Sequence, residues 1–278
     1  MSESIAFDRA ADYYDRSRGT DPVTLQETVD VLNRELAGRG RVLEIGVGTG
    51  ALALPLAGRG VPLVGLDLSL PMMDKLAEKA GGRAPFPLVR GDATRLPLRT
   101  GSLGGAYCRW VLHLIPNWRD AVAELTRVVR PGGVIVTEPG GFGGLWRDLW
   151  LRFVDILGDR IRPVGLDWVG QYEDLDAAFA EGGAVRRHLE PVVTRSDSTL
   201  NRYFAEVEER LYSWTWRVPP EELAPAVAEV RAWAEHEYPD HDAPFDPEAP
   251  ILWRAYDMTN AGPSGATASL LEPLQSST

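Results

Sequence analysis

Val42 to Gly50 reads Val-Leu-Glu-Ile-Gly-Val-Gly-Thr-Gly, an apolar run that passes straight into a turn with glycine at every second position. A second apolar run, Val61 to Leu66, ends on Asp67, seventeen residues after Gly50. This spacing predicts strand, glycine-rich turn, helix, strand and acid, in that order. Glycines let the backbone bend tightly and meet a ligand with no Cβ in the way. An acid at the tip of the following strand accepts hydrogen bonds from both ribose hydroxyls. The unit is read as a site for the adenosine end of a nucleotide-like cofactor.

Around it, short continuous apolar runs alternate with helical patterns. Strands are expected over Arg41–Ile45, Pro62–Leu66, Phe86–Arg90, Ser102–Cys108 and Val134–Thr137, and helices over Asp21–Gly38, Thr49–Ala57, Ser69–Lys79 and Trp118–Val129. Continuous apolar strands suit a sheet covered on both faces, and the alternation implies a parallel, doubly wound α/β sheet with right-handed crossovers. After Glu138 the rhythm breaks at the glycine-rich stretch Gly140–Gly144. Helices are expected over Leu145–Leu157, Glu173–Glu181 and, interrupted by Pro219-Pro220, 197–237. Two further strands are expected at Val185–Thr194 and Ile251–Met258. The tail, 259–278, rich in Ser, Thr, Gly and Pro, is expected to be flexible.

The glycine spacing separates two cofactor classes. A dinucleotide fingerprint has its third glycine three residues after the second, with a helix N-terminus facing a pyrophosphate. Here Gly50 follows Gly48 by two, and Glu44 in the strand would sit badly beside a pyrophosphate. A cofactor with a cationic middle fits better, and a nicotinamide-dependent dehydrogenase is the rival that tight NAD binding would favour.

Glu44–Gly50 resembles the first motif of class I S-adenosylmethionine-dependent methyltransferases. Gly65-Leu66-Asp67-Leu68-Ser69 with Met72, Gly91-Asp92-Ala93-Thr94, Val111–Trp118 and Leu125–Gly133 are similar to the family's later motifs and occur in the same order. The small-molecule group typified by ubiquinone and menaquinone biosynthesis is the nearest in pattern. The resemblance implies one domain over 1–258, with a helical arm (1–40), a cofactor-binding core (41–138) and helical lid insertions (139–184 and 195–250). It implies a seven-stranded sheet of order 3-2-1-4-5-7-6 with the last strand antiparallel. It also implies S-adenosyl-L-methionine as cofactor. Gly46, Gly48 and Gly50 would form the turn and Glu44 would orient its amides. Asp67, Leu68 and Met72 would lie at the ribose, Asp92 and Ala93 at the adenine, and Arg109 would add backbone contacts. Tyr14 and Arg18, in an arm reading Tyr13-Tyr14-Asp15-Arg16-Ser17-Arg18, would hold the methionine carboxylate, with the choice between Tyr13 and Tyr14 open.

For the transfer itself, His113 after the fourth strand and Glu138 at the tip of the fifth are candidate bases, His113 having packing around the cofactor as its alternative. The expected function is O-, N- or C-methylation of a small molecule by direct displacement. The alternative is a protein of the same fold that binds S-adenosylmethionine without methylating. Tryptophans 146, 150, 168, 214, 216 and 233 either glue the insertions down or line an apolar pocket.

Composition narrows the partners. Forty acids against 29 bases give a formal charge of −11, which repels phosphate backbones and argues against nucleic acid. No run approaches the roughly 20 apolar residues of a membrane span, and the N-terminus lacks a secretory pattern. With one cysteine, Cys108, a disulfide framework is excluded and a cytoplasmic setting is expected. The acidic run Glu235–Asp242 holds His236 and His241, but a proline between them leaves metal geometry undefined, so no metal site is expected. The oligomeric state is left open.

Overall fold

The computed structural model describes residues 4–140, 143–167, 172–246 and 248–259. In chain order its strands are β1 (Val42–Ile45), β2 (Leu63–Asp67), β3 (Leu88–Arg90), β4 (Leu103–Arg109), β5 (Val129–Glu138), β6 (Ala184–His188), β7 (Val192–Val193), β8 (Pro250–Ile251) and β9 (Arg254–Met258). Its helices are α1 (Tyr14–Arg18), α2 (Pro22–Leu36), α3 (Ala53–Gly58), α4 (Leu70–Lys79), α5 (Trp118–Val128), α6 (Gly144–Leu157), α7 (Tyr172–Glu181), α8 (Leu200–Glu208) and α9 (Pro220–Glu237). Seven strands form one sheet in the order β3-β2-β1-β4-β5-β9-β6. Strands β1 to β5 are mutually parallel, and β9 runs antiparallel to both β5 and β6. This is the expected α/β order, with β6 and β9 as the sixth and seventh strands of the sheet.

Alternation along each strand sends side chains to opposite faces. Leu43, Ile45, Leu66, Ala106 and Ile135 face α5 and α7. Val42, Leu63, Tyr107, Val134 and Val136 face α2, α3 and α4. Both faces are therefore dry, as the continuous apolar runs require. Asp21 caps α2, its Oδ1 accepting from the amides of Val23 and Thr24 at 3.0 Å each. Ser69 caps α4 through the Met72 amide at 3.3 Å.

Four expectations about elements are corrected. The fifth strand starts at Val129 rather than Val134, because Val129 pairs with Leu103 and Val134 with Gly105, making Arg130–Gly133 a bulge within the ladder. The helix expected from Thr49 starts at Ala53, since the glycine turn continues past Gly50. Val185–Thr194 is split: Pro191 has no N–H to give a ladder, so β6 ends at His188 and β7 pairs separately with β8. Helix α7, expected in the lid, buries Leu175, Ala178 and Phe179 against the sheet instead. The lid proper is α6, α8, α9 and the 3-10 turn Ser213–Arg217, which share a third core around Trp150, Phe153, Phe204 and Trp214. Trp168 and residues 260–278 lie outside the described residues, as do Phe142 and Gly141 of the glycine-rich stretch. Among the described residues, no helix is long and apolar enough to cross a membrane.

Candidate functional site

Where β1, β2 and β4 end, the chain leaves the sheet in opposite directions and opens a cleft. It encloses about 660 Å³, open solvent at its mouth included, within the roughly 300–1,000 Å³ usual for small-molecule sites. Its floor is the glycine turn. Gly46 (φ +67°), Gly48 (+52°) and Gly50 (+78°) all lie in the left-handed region. A Cβ on Gly46 would fall 2.3 Å from Val111 Cγ2, and one on Gly50 would fall 2.7 Å from Leu76 Cγ. Gly46 and Gly48 line the cleft; Gly50 does not. Gly50 is thus a packing glycine that lets α4 close beneath the turn.

Asp67 stands over this floor. Its Oδ2 accepts from the Gly48 amide at 2.8 Å and its Oδ1 from the Ser69 amide at 2.9 Å. Burial raises its carboxyl above the ordinary range, while these amides pull it back down. Each oxygen keeps a lone pair for a ligand. Leu68 and Met72 form the wall beside it, and Asp92 with Ala93 the far end. Asp92 Oδ1 accepts from the Thr94 amide and hydroxyl at 2.9 Å each.

The N-terminal arm supplies the remaining wall, through Ile5, Phe7 and Tyr14. It is fastened at both ends. Ile5 N donates to Leu114 O at 3.1 Å. Asp15 takes the Thr49 hydroxyl at 2.6 Å and the Lys79 ammonium at 2.5 Å, and Asp12 pairs with Lys75 at 3.1 Å. Of the two adjacent tyrosines, Tyr14 lines the cleft and Tyr13 does not. The sequence assigns no role to Phe7, Asp12 or Asp15, since in the arm only Tyr13, Tyr14 and Arg18 carried one through the resemblance.

Five residues singled out in the sequence, three from the resemblance and two as candidate bases, do not line the cleft. Arg18 is turned to the lid: its guanidinium lies 4.2 Å over the Tyr212 ring and donates to Leu211 O at 3.4 Å. Glu44, 5% exposed, accepts from the Tyr107 hydroxyl at 2.7 Å and does not orient the turn amides. Those of Gly46 and Val47 go to Leu66 O, that of Gly48 to Asp67, and that of Gly50 to Val47 O. Burial raises the Glu44 carboxyl to about 8, with the Asp67 charge adding to the effect. Gly50 packs, as described. His113, in the 3-10 turn Leu112–Leu114, is not among the lining residues, and burial together with the Arg18 charge lowers its imidazole to about 3. A group so weakly basic is a poor proton acceptor at neutral pH. Glu138 lies behind the cleft wall, its Oε1 on the Gly140 amide at 3.0 Å and its Oε2 3.5 Å from Arg109 Nε. Burial raises its carboxyl and Arg109 opposes the rise. None of the lid tryptophans 146, 150, 214, 216 and 233 lines the cleft; Trp150 and Trp214 pack within the lid core, and Trp216 meets Phe7 of the arm.

Among its lining residues the cleft holds two acids and one cation, Arg109. That donor set is unsuited to a pyrophosphate and suits a neutral nucleoside with a cationic centre. Residues 43–137 match the family model of a methyltransferase domain. Residues 43–137 thus carry a class I S-adenosylmethionine-dependent methyltransferase domain. The chain is 36% identical over 118 residues to a demethylmenaquinone methyltransferase of Desulfitobacterium hafniense, a match covering 38% of the chain and 47% of that protein. The chain thus spans about half the length of the curated relatives it matches first. An uncharacterized methyltransferase of Mycobacterium bovis is 29% identical over 228 residues, covering 81% of this chain and 76% of the relative. The chain also shares its fold with a putative methyltransferase from Bacillus halodurans, with a TM-score of 0.58 at 17% identity over 84% of this chain and all of the other. The family's methyl donor is S-adenosylmethionine.

Around Glu235–Asp242 the chain forms a tied turn. Asp240 Oδ1 accepts from Asp242 N and Ala243 N, and Asn201 donates to Asp242. Among the described residues, no group of three or more His, Cys, Asp or Glu side chains is placed to hold a metal ion.

Proposed function

We propose that the protein binds S-adenosylmethionine in the cleft at the ends of β1, β2 and β4 and methylates a small molecule at oxygen, nitrogen or carbon. The observation that carries this reading is the Asp67 carboxylate, held over a left-handed glycine turn by the amides of Gly48 and Ser69. In that position it receives the ribose hydroxyls, while Asp92 and Ala93 receive the adenine and Met72 with Leu68 packs on the sugar and base. When bound, S-adenosylmethionine would supply an electrophilic methyl group for in-line attack, with the thioether S-adenosylhomocysteine as the leaving group.

What the chain contributes is alignment and dryness. Phe7, Val111, Leu114 and Ile115 make the cleft walls apolar, and a dry wall favours a step in which charge is lost at sulfur. Positioning of two reactants supplies roughly 7–11 kcal/mol of barrier reduction. His113 is uncharged at neutral pH and accepts a further proton poorly, and Glu138 is engaged with Arg109 and Gly140. Both placements favour an acceptor that needs little help in losing a proton. The small-molecule class is supported by the names of the partial relatives and by the charge of −11, which disfavours a nucleic-acid acceptor.

The test is incubation with methyl-labelled S-adenosylmethionine and a panel of small acceptors, quinols and phenols among them. Transfer of label to an acceptor, with S-adenosylhomocysteine released in equal amount, is the expected result. Tight binding with no S-adenosylhomocysteine formed on any acceptor would leave the non-methylating alternative standing.

A further inference from the structure

Arg109 is the cation that the cleft lining offers, and its side chain is only 11% exposed. Four groups fix it. Glu138, itself 8% exposed in its side chain, stands 3.5 Å from Nε. Thr20 accepts from Nη1 at 3.2 Å. The Trp110 ring lies 4.1 Å beneath the guanidinium. Trp110 does so at φ +55°, a left-handed backbone that is costly for a bulky residue and persists only where the surroundings over-determine it. The Trp110 amide is in turn held by Glu138 O at 3.0 Å. A guanidinium has five N–H donors. Thr20 takes one Nη1 hydrogen and Glu138 faces Nε as an ion pair, which leaves Nη2 and the second Nη1 hydrogen as an end-on pair, and Arg109 borders the cleft.

We propose that Arg109 reads the α-carboxylate of the cofactor's amino-acid end, and that Glu138 is the positioning residue that aims it. This rests on the functional reading above and extends it to the part of the ligand that Asp67 and Asp92 leave unaccounted for. A planar fork matches a carboxylate in two parallel hydrogen bonds. Sequence resemblance gave that task to Arg18, but Arg18 is committed to Tyr212 and Leu211 on the lid side. Glu138 stands at Nε and holds the guanidinium at the cleft edge. It accepts from the Gly140 amide with its other oxygen, so its own carboxylate cannot rotate freely.

Two thioether nucleosides separate the possibilities: S-adenosylhomocysteine, which has the amino-acid end, and 5′-methylthioadenosine, which lacks it. Both are titrated calorimetrically into the wild type and into Arg109→Met, Arg109→Lys, Glu138→Gln and Arg18→Met. Loss of a charge-assisted fork predicts that Arg109→Met weakens S-adenosylhomocysteine about tenfold or more, with 5′-methylthioadenosine within about threefold. Arg109→Lys, which keeps the charge and the fold but not the fork, is expected to lose part of the same preference. Glu138→Gln is expected to lower the affinity ratio of the two ligands in the same direction, a change that a merely structural role would not produce. Equal weakening of both nucleosides in the Arg109 variants, no weakening of either, or a selective loss in Arg18→Met alone would overturn the assignment. If the wild type binds neither nucleoside, the functional reading falls and takes this inference with it.

Discussion

Single residues in this protein are informative where backbone and side chain are forced into an expensive arrangement. Gly46 combines a left-handed φ with a Cβ position 2.3 Å from Val111. Gly46→Ala is expected to destabilise the fold by on the order of 1–3 kcal/mol and to displace Val111 into the cleft, read as a lower midpoint of thermal unfolding together with weaker nucleoside binding. Two buried ionisable groups give opposite pH signatures. The His113 imidazole is lowered from 6.5 to about 3, so the unfolded chain binds the extra proton. The stability it contributes is complete above pH 6.5 and drains away as pH falls towards 3. The Glu44 carboxyl is raised from 4.5 to about 8, so its contribution is present below pH 4.5 and is lost as pH rises towards 8. Between 4.5 and 6.5 the two slopes oppose each other, and between 6.5 and 8 only Glu44 of this pair acts. Urea titrations across pH 6.5 to 8 are therefore expected to show a shallower decline in Glu44→Gln than in the wild type; an unchanged decline would remove Glu44 from the account. His113→Ala is expected to keep S-adenosylhomocysteine affinity within about tenfold, since the side chain does not line the cleft and only its charge could act at a distance.

At the scale of elements, the arm is the part whose role the sequence left least defined. Its ion pairs, Asp12–Lys75 and Asp15–Lys79, are exposed, and exposed pairs contribute little individually. The arm's grip comes from the wall it builds with Ile5, Phe7 and Tyr14, and from Phe7 and Arg9 on Trp216 of the lid. Removal of residues 1–18 is expected to weaken S-adenosylhomocysteine by more than the Lys79→Met change does, with titration calorimetry deciding. Equal effects would mean the salt link, not the wall, is what matters. The core elements were legible because β1, β2 and the glycine turn combine two period-free apolar runs with fixed punctuation. The ends were less so. A ladder bond from Val129 to Leu103 carried β5 through a Pro-Gly-Gly sequence that reads as a turn, and Pro191 cut one apolar run into two strands. Helix α7 was placed with the lid because its position after a glycine-rich stretch is visible in sequence, whereas its packing against α5 is not. The same limit applies at the site. Asp67 and the first two glycines could be read from spacing, but the direction in which Arg18 points depends on Tyr212, nearly two hundred residues away in the chain.

Taken whole, the molecule has two kinds of core: the two faces of the sheet, which set the cleft, and the lid, whose aromatic side chains bury one another. Trp150 meets Trp214 at 5.8 Å between ring centroids, and Trp214 meets Phe153 at 5.0 Å. Trp214→Ala is expected to destabilise the lid by about 3–5 kcal/mol while leaving nucleoside affinity within about threefold, because none of the lid tryptophans 146, 150, 214, 216 and 233 lines the cleft. Hydrogen exchange by mass spectrometry, comparing peptides of α6, α8 and α9 with those of β1 and β2, separates local from global loosening. The account as a whole depends on the carboxyl edge of the sheet being a nucleoside site governed by Asp67. Calorimetric titration of S-adenosylhomocysteine into the wild type and Asp67→Ala tests this most directly. One ligand per chain for the wild type, with affinity reduced more than about tenfold in the variant, is the result expected; no binding by the wild type, or the same affinity in both, would contradict it.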